Sequence, residues 1–190
     1  IDDAGDANGI PVFTGQITGG GNFEKTGTGA YRLDNDGTET IGLNAGGTTA
    51  ESDYTGTTKI TAGTLYVTGQ SIGDASAVTV KGGASLIVEG SEKIGSLVSV
   101  DSSTSNPATV IVEEISADGD TASDVTLTFG GNDSTTSFAG LIEGEGGLTK
   151  TGTGDFTLDS YDDANQAVFN NGSGNTFAGD FTLDDGKVIL

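Results

Sequence analysis

The sequence predicts an all-β protein whose short strands form a parallel β-solenoid, with a tandem β-sandwich as the runner-up. Three observations lead there. Glycine supplies 33 of 190 residues and recurs beside Thr, Val, Ile, Asp and Ser, a mixture that works against helices of ordinary length. Runs of four or five β-formers with period-2 character recur between Gly, Asp and Asn turns. A block of sequence also returns 125 residues further on, the mark of a repeat architecture.

In chain order the alternating runs lie at 59–61, 64–67, 77–80, 85–88, 109–112, 125–129, 155–158 and 180–183. Their apolar positions alternate at even spacing, which low-complexity acidic tails do not do. The segment from Phe13 to Asp34 matches Phe138 to Asp159 without a gap. Gly15, Gly19, Gly21, Leu33, Asp34 and the whole of Lys25-Thr26-Gly27-Thr28-Gly29 recur. A second block, Tyr54 to Val67, aligns with Phe177 to Leu190. Residues 1–190 therefore read as one solenoid segment with about one and a half copies of a ~125-residue unit. The matched blocks are 13–67 and 138–190, as in a window cut from a longer array. A sandwich domain also has roughly that length. Its strands usually run longer, however, and its core carries large aromatic anchors that a chain with no Trp lacks.

Composition excludes several chemistries. Without His or Cys there is no Cys/His zinc site, no Cys nucleophile and no Ser-His-Asp triad. Seven scattered cations against 28 acids, a net charge of −21, oppose nucleic-acid binding, which needs clustered Lys and Arg. Aliphatic runs stop at three residues, as in Leu86-Ile87-Val88 and Val110-Ile111-Val112, so no membrane span is expected. Ile1 is not an initiator, and the chain reads as a processed product or fragment.

The Lys-Thr-Gly motifs at Lys25 and Lys150 echo enzyme signatures but do not complete them. A P-loop needs Gly before the Lys, where Glu24 and Thr149 stand. The penicillin-binding pattern needs a Ser three residues before another Lys, and no such pair exists. Both motifs are expected to be solenoid turns with an exposed Lys.

Acidic loops are the candidate metal sites. Asp34, Asp36 and Glu39 surround Gly37, Asp118 and Asp120 flank Gly119 ahead of Asp124, and Asp3, Asp6 and Asn8 precede Gly9. Carboxylates converging at a glycine turn suit Ca²⁺, which takes roughly six to eight oxygen ligands. None completes an EF-hand, and Ca²⁺ is the one cofactor the sequence suggests. The pairs Asp2-Asp3, Asp162-Asp163 and Asp184-Asp185 are not dyads by adjacency, since strand neighbours point to opposite faces. A glycan-binding groove would draw on Tyr31, Tyr54, Tyr66 and Tyr161.

The run 146–158, Gly-Gly-Leu-Thr-Lys-Thr-Gly-Thr-Gly-Asp-Phe-Thr-Leu, with 176–188 downstream, resembles the passenger-associated repeat of bacterial autotransporters. Residues 20–29 followed by 54–65 resemble it equally. The two zones cover about half of the chain, with 71–137 compatible in composition. The resemblance implies a right-handed parallel β-helix, export to the bacterial cell surface or beyond, and a non-enzymatic role as stalk, adhesin or matrix component. The outer-membrane barrel of that family has no counterpart here. The expected partners are neighbouring repeats or identical chains, with surface glycans as the alternative. The apolar strand Lys187-Val188-Ile189-Leu190 suggests head-to-tail stacking of copies into a filament through open β edges.

Overall fold

A computed structural model describes residues 9–35, 51–103, 105–113, 125–159 and 176–190. Among them every regular element is a strand. The chain makes repeated passes. The first three hold β1 (Val12–Thr14) and β2 (Phe23–Lys25), β3 (Ala30–Asp34) and β4 (Thr58–Ile60), then β5 (Gly63–Thr68) and β6 (Ala77–Lys81). The fourth adds a third strand: β7 (Ala84–Val88), β8 (Glu92–Ile94) and β9 (Ser96–Val100). The fifth holds β10 (Ala108–Val112), β11 (Thr126–Phe129) and β12 (Thr136–Phe138). The sixth holds β13 (Gly140–Gly144), β14 (Gly147–Lys150) and β15 (Asp155–Leu158). The last holds β16 (Thr176–Phe177), β17 (Phe181–Leu183) and β18 (Lys187–Ile189).

Each pass contributes one strand to a seven-stranded sheet ordered β1-β3-β5-β7-β10-β13-β16. The other strands form β2-β4-β6-β9, β8-β11-β14-β17 and β12-β15-β18, and every strand pairing is parallel. The alternation read from the sequence becomes inward rows at successive strands. Leu65, Leu86, Val110 and Ile142 are register partners, as are Leu33, Val67, Val88 and Val112. All eight are buried in one continuous core. The opposite sheets supply Ile60, Val80, Leu97, Leu127 and Leu148, with Phe129 and Phe156 edge to face at 4.7 Å between centroids. Aromatic pairs of this geometry add to the burial of their area.

The matched sequence blocks do not occupy matched sheets. Phe13 stands on β1 of the seven-stranded sheet, whereas its counterpart Phe138 stands on β12 of the three-stranded one. Lys25 on β2 and Lys150 on β14 also lie in different sheets, as do Leu33 on β3 and Leu158 on β15. Tyr54 and Phe177, both buried, begin the second block. The repeat preserves a local strand–turn–strand unit and sets its second copy down on different sheets.

That unit turns at glycine. Gly27 and Gly152 have φ of +74° and +70°, a region that side chains with Cβ seldom enter. A Cβ on Gly152 would also stand 2.1 Å from the carbonyl oxygen of Gly130 in the neighbouring pass. Gly152→Ala is therefore expected to destabilise the fold by more than about 2 kcal/mol, read as a lower urea midpoint at an unchanged slope.

Candidate functional site

Of the sequence-predicted metal ligands, only Asp34 is among the described residues. Asp3, Asp6, Asn8, Asp36, Glu39, Asp118, Asp120 and Asp124 lie outside them. Asp34 closes β3, half-buried, and accepts a hydrogen bond from the Thr68 hydroxyl at 2.9 Å on the adjacent strand. Among the described residues no group of three or more carboxylates is placed to hold a metal ion.

The lysines of the repeated motif correct an expectation. Neither is an exposed turn residue: Lys25 is 7% exposed and Lys150 1%. Each takes an inward position of its strand, in register with Ile60 for Lys25 and with Phe129 for Lys150. The stem fills an apolar row while the ammonium bends into the glycine turn behind it. Lys25 Nζ donates to the carbonyls of Thr26 and Gly27, both at 2.9 Å, and of Ala62 at 3.1 Å. Lys150 Nζ repeats the set with Thr151 O, Gly152 O at 2.8 Å and Asp185 O at 3.5 Å. Ala62 and Asp185 are themselves matched positions of the second block.

One ammonium thus ties its own turn to the turn of the next pass, and the same clamp occurs twice. Burial pulls the Lys25 ammonium below the ordinary lysine value. Around the second clamp, Asp133 Oδ1 accepts the Thr153 N–H at 2.8 Å and hydroxyl at 3.1 Å, which holds its carboxyl below the usual range.

The only arginine forms a second clasp. Arg32 on β3 reaches across β5, its guanidinium 4.9 Å from the centroid of the Tyr66 ring. Its far end pairs with Glu89, which follows β7. The second guanidinium nitrogen lies 3.4 Å from Glu89 Oε1. Both side chains are buried, so three adjacent strands of the large sheet are joined by a dry ion pair and a cation–π contact. The arginine therefore lies over a face of one tyrosine named as a glycan platform. A second, Tyr54, is 2% exposed, its hydroxyl bonded to Thr58, whose hydroxyl lies 2.8 Å from Ser76. Burial pushes the Tyr54 phenol up. Tyr31 is half-buried and Tyr161 lies outside the described residues.

Glu92, which opens β8, is 1% exposed. Its Oε2 accepts the N–H of Ser71 at 2.8 Å and of Ile72 at 3.4 Å, and its Oε1 the N–H of Lys93 at 3.2 Å. Burial outweighs these donors and pushes the carboxyl up to about 8.

An open groove at the last pass is lined by Thr126, Glu145, Gly147, Ala178, Gly179 and Asp180. Beside it β16, β17 and β18 each stand at the end of a sheet order, with Leu183 and Leu190 49% and 59% exposed. The buried Lys25, Lys150, Arg32–Glu89 and Glu92 groups bond turn to turn and strand to strand, chemistry suited to holding passes together. No protein-family model matches the chain, and neither a curated protein nor a solved structure shows significant similarity to it.

Proposed function

We propose that the chain is a non-enzymatic structural segment of a secreted bacterial surface protein, a right-handed parallel β-solenoid serving as stalk, adhesin or matrix component. The observation that carries this reading is the reuse of the lysine clamp. Twice the motif spends a buried cation on joining one turn to the next. In both cases the ammonium is enclosed by backbone carbonyls, an arrangement that serves mechanical continuity between passes. The resemblance of the same motif to autotransporter passenger repeats supports export and a surface location. A rod of seven passes at ~4.8 Å spacing is about 34 Å long, and longer arrays would extend it without new chemistry.

A second reading is favoured by the exposed Leu183 and Leu190 beside three strands paired on one side. Copies would stack end to end as a filament, with Ca²⁺ or salt offsetting the repulsion of −21 per chain. Electron microscopy of the purified chain with and without millimolar Ca²⁺ separates the two. Short isolated particles in both conditions are the expected result for a covalent segment. Long uniform filaments that strengthen with Ca²⁺ would replace it with the polymer reading.

A further inference from the structure

The second block repeats the strand pairing of the first as well as its sequence. Phe23 with Thr58 and Lys25 with Ile60 join β2 to β4, and Leu148 with Phe181 and Lys150 with Leu183 join β14 to β17 in the same register. Tyr31 pairs with Leu65 between β3 and β5 as Phe156 pairs with Val188 between β15 and β18. β17 and β18 are thus the counterparts of β4 and β5. On their far side the two copies part. β4 is covered by β6 and β5 by β7, with Ile60 against Val80, Leu65 against Leu86 and Val67 against Val88. β17 and β18 each end a sheet order among the described strands. The difference shows in matched side chains. Ile60 and Val67 are 0% exposed, whereas their counterparts Leu183 and Leu190 are 49% and 59% exposed.

We propose that the β17–β18 edge is a docking surface for an extended segment of a partner chain, built as strand, two-residue glycine turn and strand. It would add in parallel as β6 and β7 add to β4 and β5, and it rests on the solenoid reading above. Strand addition takes affinity from the main-chain ladder and specificity from alternate side chains. The pattern required is read from the covered copy. Apolar residues must face Phe181, Leu183, Val188 and Leu190, as Val78, Val80, Leu86 and Val88 face the first block. Charge adds a second requirement. Asp184 and Asp185, both exposed, replace Thr61 and Ala62 in the turn between the two strands. In the covered copy Lys81 closes β6, one residue beyond the Val80 that pairs with Ile60. A cation at that place in the partner continues the register to Asp184.

A second copy of the chain fits this edge poorly. The strands it offers at its first pass, β1 and β2, are separated by residues 15–22, whereas Gly82-Gly83 alone separates β6 from β7. Each copy also brings a charge of −21, which repels its like.

The test is titration of the ¹⁵N-labelled full chain with a synthetic peptide of residues 77–88, followed by NMR. Saturable shift changes concentrated on residues 181–190 are expected, with amide exchange of β17 and β18 slowed by about tenfold or more. A peptide carrying Val80→Asp and Leu86→Asp is expected to lose the effect, since each change puts an unpaired carboxylate into an apolar row. On the chain, Leu183→Asp is expected to weaken binding by about tenfold or more while the resonances of β3 to β7 stay in place. If the free peptide self-associates, the same segment tethered after Leu190 through a Gly-Ser linker gives the same readout. Unchanged amides at 181–190, or an equal response to the Asp-bearing peptide, would overturn the proposal. So would protection of this edge that rises with the concentration of the chain alone, which makes a second copy its occupant. A null titration in a chain whose label distance from β1 to β16 shows the stack intact removes the docking surface and leaves the solenoid standing.

Discussion

Glu89→Ala is expected to cost about 3–5 kcal/mol of unfolding free energy, the largest effect of any single polar substitution here. Arg32 and Glu89 are both buried, and a guanidinium does not surrender its proton at any working pH. Removing the carboxylate leaves a cation in a dry site, with the Tyr66 ring as weak compensation. Arg32→Met should cost a similar amount for the converse reason. The double substitution Arg32→Met with Glu89→Leu is expected to recover most of that loss, because apolar side chains of similar volume need no desolvation. Urea unfolding of the two single variants and the double variant gives the coupling energy directly. Additive losses would mean that the two side chains act independently and that the three-strand clasp has no energetic content.

The second large effect concerns the lysine clamps. Lys150→Met keeps the apolar stem against Phe129 but strips three backbone carbonyls of their donor. Charged hydrogen bonds contribute about 1.5–3 kcal/mol each and do not sum, so a loss of about 3 kcal/mol is expected in the same unfolding experiment. Lys25→Met should behave alike, since its ammonium serves the equivalent carbonyls. Lys150→Arg is not expected to rescue, because the guanidinium is planar and too large for a pocket shaped by glycine turns. A Met variant as stable as the wild type at both positions would remove the clamp as the reason for the repeated motif.

The all-β class was legible because inward Leu and Val recur at every second position and glycine punctuates the runs. The repeat was legible too, down to the equivalence of Lys25 and Lys150. Their burial was not. In the linear sequence a lysine before Thr-Gly-Thr-Gly reads as a polar turn residue. Only the folded turn aims several carbonyls at one point and creates a sink for an ammonium. The shift of the second copy to another sheet was equally hidden, since residue identity fixes the local turn and says nothing about which sheet receives it. Glu92 stands between Ser91 and Lys93, where it reads as surface charge. Its burial arises because β8 starts a sheet beside a turn whose Ser71 and Ile72 N–H groups it accepts, a property of topology. Glu89 pairs with Arg32 from 57 positions away, beyond any local pattern. The acidic clusters drew attention as calcium loops on composition, and of them the described residues include Asp34 alone.

The account rests on successive passes stacking in chain order, which a distance across the stack tests most directly. The natural sequence has no Cys, so two introduced cysteines would be the sole labelling sites. Thr14 on β1 and Ala178 just after β16 are both exposed and mark the first and last strands of the seven-stranded sheet. Spin labels at Thr14→Cys and Ala178→Cys, read by pulsed electron paramagnetic resonance, should give one narrow distance. Six strand spacings put the backbones about 29 Å apart, to which the label arms add their own reach. A broad distribution, or a distance near that of adjacent strands, would contradict the stack and favour two separate sandwich-like units.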